Sequence, residues 1–157
     1  MFETLMNLVQ QNAGQSVINN PAIPNSQNDT VMQTVTNSIM NGLGQQGQSG
    51  GLGSLLGMVT GQGGGLGGSL GGFDSHPVTQ GVQQNVQQDL MSKLGISPQV
   101  AMSVAGALVP VVLSKLMNKA NDPNDSSVDA GSLMSAFGGG QQGGGLGGML
   151  GGILGGR

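Results

Sequence analysis

Asp74, Ser75 and His76 stand side by side, and they are the residue types of a nucleophilic triad. His76 is the chain's single histidine. A triad needs nucleophile, base and orienting carboxylate to converge within hydrogen-bond reach, and consecutive side chains diverge. Followed by Pro77, the group reads instead as the start of a helix, with Ser75 the expected N-cap. The acidic cluster Asn121, Asp122, Asn124, Asp125 and Asp129 has oxygen donors suited to a hard cation. Counted from Asp122, however, Ser127 falls where a calcium loop needs Gly, and Leu133 where it needs the bidentate Glu. A solvated loop between helices accounts for these residues better.

Two further patterns carry little chemistry. Leu94-Gly95-Ile96-Ser97-Pro98 could join a helix-turn-helix, but the helix that follows offers Gln99 and then a wall of Val and Ala. A DNA-reading helix displays Arg, Lys, Asn or Gln there. Gly42 to Gly47 and Gly143 to Gly148 both satisfy G-x-G-x-x-G. Neither follows a strand or precedes the Lys-Ser/Thr of a P-loop, so no nucleotide site is expected.

The most informative pattern is a tetrad. Leu66 and Leu70 head Leu-Gly-Gly units in one tract, and Leu146, Leu150 and Leu154 do so in another, with Met149 and Ile153 in the fourth position. A flexible tether has no need of Leu every four residues. As a helix, the tetrad gives a Leu ridge beside a glycine groove, the small-xxx-small surface on which backbones approach closely. As a strand, it gives interdigitating faces. A tether remains the simplest alternative, because each Gly costs ~1 kcal/mol in a helix relative to Ala.

Glycine also divides the chain. Of its 32 Gly, 15 lie in the 31 residues of 42–72 and 12 in the 19 residues of 138–156. The expected organisation is a helical arm (1–41), a Gly-rich tract (42–74), a helical core (75–137) and a Gly/Leu-rich tail (138–157). In the arm, Phe2, Leu5, Met6, Leu8 and Val9 predict a helix over 2–12. A second helix carries Val31, Met32, Val35, Ile39 and Met40, capped by Asn28 or Asp29 and ended by Gly42. In the core, Val78, Val82, Val86, Leu90 and Leu94 fall every four residues against a face of Gln. After a turn at Gly95, the next helix is apolar almost all round and includes Val104, Leu108, Val112 and Leu116. Such a helix is buried in protein or in lipid. Its uninterrupted apolar stretch is about 17 residues where a bilayer needs ~20, which favours protein. Pro110 should kink it or mark a restart. Ser127 is the expected cap of a last short helix that stops at Gly138. The fold class expected is an all-α bundle around a helical hairpin of about 77–119.

Composition narrows the function. Four cations against seven anions give a net charge of −3. That leaves no footprint for nucleic acid, whose phosphates demand several Lys or Arg. There is no cysteine, hence no disulfide or thiolate metal site. The N-terminus lacks the positive region of a secretory signal, so a cytoplasmic location is expected, with room for unconventional export.

MFETLMNLVQQNAG, NNPAIPN, DLMSKLGIS, VPVVLSKLMNKANDPND and the LGGMLGGILGG tail together resemble the bacterial family known as domain of unknown function 937, related to the YidB-like proteins. The resemblance covers most of the chain. It implies a small, mainly helical protein, homeodomain-like in its YidB-like relatives, and it implies no activity. Some relatives end in an Asp-rich segment; this chain ends at Arg157 after Gly, so no calcium role carries over.

The expectation is a non-enzymatic structural protein, with no cofactor, metal or small-molecule substrate. It self-associates into an oligomer or filament through apolar helices and the Leu-Gly-Gly tracts. The alternative is a helical binding module with Gly-rich tethers, whose apolar helix docks a partner.

Overall fold

The computed structural model describes residues 1–60 and 74–137. These residues form α-helices, one π-helical turn and one 3-10 turn, with no strand among them. The order is α1 (Phe2–Asn12), the π turn (Gly14–Ile18), the 3-10 turn (Asn25–Gln27), α2 (Asn28–Gln48), α3 (Gly51–Thr60), α4 (Pro77–Leu94), α5 (Pro98–Ala120) and α6 (Ala130–Phe137). The fold is the small all-α bundle expected.

The hairpin of α4 and α5 turns where the sequence places it. Gly95 adopts φ +65, a left-handed conformation that an L side chain resists. Gly95 N donates to Met91 O (3.1 Å) and Ile96 N to Leu90 O (3.2 Å), closing the end of α4. Pro98 then opens α5 at its first position, with Ser97 as N-cap. Ser97 makes no side-chain cap bond.

α5 runs unbroken through Pro110 for 23 residues, so Pro110 marks no restart. Proline withdraws the hydrogen bond to the carbonyl four residues earlier, here that of Gly106. Gly106 lies on the exposed face, where water can reach that carbonyl. A Cβ built on Gly106 would meet nothing within 4 Å. Gly106→Ala is therefore expected to stabilise the fold by about 0.5–1 kcal/mol, read as a higher midpoint in urea unfolding.

The larger departure concerns α2. It passes through Gly42, Gly44 and Gly47 and ends at Gln48, rather than stopping at Gly42. The glycines are used where α2 meets its neighbours. A Cβ on Gly42 would lie 2.9 Å from Val82 Cγ2 and 3.2 Å from Val82 Cα, so α2 and α4 touch almost backbone to side-chain root. A Cβ on Gly47 would run into the Phe137 carbonyl at the end of α6. This packing offsets the poor helix propensity of glycine. A turn at Gly50 (φ +79) leads into α3, and a Cβ on Gly51 would come within 2.5 Å of Val78 Cγ2. Residues 42–60 thus belong to the helical body, although the glycine count assigned them to a tract.

The arm is equally part of that body. Leu5, Val9, Val31, Val35 and Ile39 are fully buried and share one apolar core with Val82, Val86, Val104 and Leu108. α1 packs on both α2 and α5. Between α1 and α2, the π turn buries Ala13 and Val17, and Ile18 N donates to Ala13 O (3.1 Å). No apolar period announces that turn.

Candidate functional site

The start of α4 is built by His76, not Ser75. His76 has extended backbone (φ −71, ψ 134), and its Nδ1 accepts from Val78 N at 3.2 Å. The proton of the neutral ring is then on Nε2. Partial burial lowers the His76 pKa below its usual value, because desolvation penalises the imidazolium. The ring nitrogen that a triad would turn toward a carboxylate is engaged with its own helix. Likewise α2 has Gln27 at its N-cap position, without a side-chain cap bond, in place of Asn28 or Asp29.

The acidic cluster is a set of local caps. Asp122 Oδ1 accepts from Asn124 N (2.9 Å), and Asp125 Oδ1 accepts from Ser127 N (3.0 Å) and from the Ser127 hydroxyl. Lys119 Nζ sits 2.5 Å from Asp125 Oδ2. The Lys119 hydrogen bond, then the Ser127 hydroxyl and amide, hold the Asp125 carboxyl down at about 2. What stability this exposed loop gains is present above the ordinary Asp value of 3.8 and is lost as pH falls toward 2. Asp129, rather than Ser127, caps α6: its Oδ1 accepts from Ser132 N (2.9 Å) and its Oδ2 from the Ser132 hydroxyl (2.6 Å). Those two Ser132 bonds, hydroxyl first, also lower the Asp129 pKa. Among the described residues no group of three His, Cys, Asp or Glu is placed to hold a metal ion.

The glycine motif Gly42 to Gly47 lies inside α2, so it is helix and not a phosphate-cradling loop. Its counterpart, Gly143 to Gly148, lies outside the described residues.

Val82, Val86, Leu90, Val104, Leu108, Val112 and Leu116 are all buried in the core, and Leu94 is partly buried against it. α5 is, among the described residues, the one helix long and apolar enough to cross a membrane; 61% of its apolar window is buried inside the fold. Its full length exceeds the apolar stretch counted in the sequence because the helix continues past Lys115 to Ala120. Its exposed residues are Gln99, Met102, Ser103, Gly106 and Ala107 in the N-terminal half, with Pro98 at the start and Lys115 and Asn118 near the end.

The tetrad residues Leu66, Leu70, Leu146, Met149, Leu150, Ile153 and Leu154 lie outside the described residues. Their points of attachment do not. The described chain resumes just before α4, where Val78 packs on Gly51. The described chain ends at Phe137, whose carbonyl abuts Gly47. The two attachments therefore meet at the α2–α3 corner, beside an open groove lined by Met40, Asn41, Gly44, Gln45, Gln48, Ala136 and Phe137.

Sequence reasoning missed three features here. Glycines at i and i+5 in α2 were visible, but only the facing Val82 and Phe137 reveal their use. His76 as cap was hidden by the better capping statistics of Ser75. Ser38 Oγ donates to Asp89 Oδ2 at 2.5 Å across the α2–α4 contact, and Lys93 approaches the same carboxylate at 3.2 Å. Asp89 and Lys93 are an i, i+4 pair on one helix, whereas Ser38 gives no sign in the sequence of being their neighbour.

No family model, curated protein or solved structure matches this chain.

Proposed function

We propose that this is a non-enzymatic structural protein that self-associates, with the helical bundle as the subunit body and the two Leu-Gly-Gly tracts as its contact surfaces. The observation that carries the reading is how the apolar residues are divided. Among the described residues the bundle consumes its own apolar stripes: the large apolar side chains left exposed there are Phe2, Ile18, Met91 and Met102. The sequence adds a further set of apolar residues, repeated every four positions in the tracts, which lie outside the described residues. Burial of most of α5 weighs against the alternative in which that helix docks a partner. The resemblance to domain of unknown function 937, a cytoplasmic location and the absence of nucleic acid among the partners belong to the same proposal.

Sedimentation velocity over a wide concentration range tests it. The full chain is expected to form concentration-dependent oligomers, and a variant ending at Phe137 to remain smaller. Burying a Leu contributes about 1.5–3 kcal/mol. Replacing Leu146, Leu150 and Leu154 with Gln is accordingly expected to weaken association on the order of tenfold or more. A full chain that stays a 15.6 kDa monomer throughout overturns the reading and leaves the tracts as tethers.

A further inference from the structure

We propose that His76 is a proton-operated cap, which holds the first turn of α4 against α3 when neutral and releases it on protonation. Val78 N–H is one of the donors at the helix start that has no intrahelical acceptor, and His76 Nδ1 supplies one at 3.2 Å. An imidazolium has no lone pair to offer, because both ring nitrogens then carry protons. It also sets a positive charge at the positive end of an 18-residue helix. Both effects act in the same direction. Val78, whose amide is capped, is also the residue whose side chain packs on Gly51 at the head of α3. Loss of the cap therefore loosens the α3–α4 contact at this point.

The surroundings leave His76 as the group that responds near neutrality. α2 and α3 carry no titratable side chain between Asp29 and Asp74, and α6 has none. On α5, Lys115 is engaged with Asn12 (2.9 Å) and Lys119 with Asp125. Asp74, two residues upstream and exposed, is the charged neighbour on the same segment. Burial of the ring acts in the same sense, since it too disfavours the cation. The folded chain thus holds fewer protons than the unfolded one just below pH 6.5, and the local stability is present above 6.5 and lost as pH falls below it.

Hydrogen exchange by mass spectrometry on the full chain tests this, with protection of residues 78–80 corrected for intrinsic exchange. The readout is local and does not depend on whether copies associate. Between pH 7.5 and 5 the native chain is expected to lose about fivefold in protection, the worth of one N-cap. His76→Asn, whose amide caps without titrating, is expected to stay protected at both pH values. His76→Ala is expected to show the reduced protection at both. Equal protection of the native chain at the two pH values overturns the proposal, and so does an unchanged pH dependence in His76→Asn.

Discussion

Leu5→Ala is expected to destabilise the fold by about 2–5 kcal/mol, as much as truncating a leucine of the central hairpin such as Leu90. Leu5 has no exposed surface, and α1 lies against both α2 and α5. The truncated site cannot readily refill from solvent-facing residues, because Val9, Ala13 and Val17 of the same core are themselves fully enclosed. The cost is the lost transfer free energy plus that of the cavity left behind. With no Trp or Tyr in the chain, urea unfolding is best followed by far-UV circular dichroism. An arm that packed only loosely would instead lose less than about 1 kcal/mol. That result would separate residues 1–41 from the core after all.

Gly42→Leu is the second large effect, expected to cost about 2–3 kcal/mol net. Leucine restores up to ~1 kcal/mol of helix propensity. Against this stands overpacking, typically ~1–3 kcal/mol and more where relief requires backbone movement. Val82 Cα, not only its flexible methyl, lies 3.2 Å from the position of the new Cβ. The helices α2 and α4 must therefore separate along the most extensive contact in the bundle. Gly42→Ala should fall between glycine and leucine, and Gly106→Ala should move the other way. If Gly42→Leu and Gly106→Ala both stabilise, the close approach of α2 to α4 is refuted.

The contrast between Gly42 and Gly106 also shows how far the sequence could be read. Apolar periods located α1, α4 and α5 to within a residue or two, because each stripe recurs at helical spacing over several turns. The Gly95 turn was legible for the same kind of local reason: a left-handed residue is needed there. The extent of α2 was not legible. A local scale charges the same penalty for every glycine, while the sign of the real effect depends on what faces it. Gly42 faces Val82 and Gly47 faces Phe137, partners 40 and 90 positions away in the chain. Capping failed at both α4 and α6 by one or two residues, since neighbouring Asp, Ser and His compete for the same role. The tetrads were plain in the sequence, and their role stands as the proposal made from them.

The position of α1 against α5 sets the order of events during synthesis. Lys115 reaches back 103 positions to Asn12, and the apolar face of α1 is fully covered only when α5 exists. At ~5–20 residues per second, ribosomes take roughly 5–20 s to bridge that interval. For that time α1 has the π turn and α2 for cover, and the nascent chain presents an unfinished apolar surface. The α4–α5 hairpin, by contrast, closes through a three-residue turn as soon as it emerges. A helix made late, α5, thus seals the first, and a stall in translation before residue 98 would leave that face of α1 without its cover.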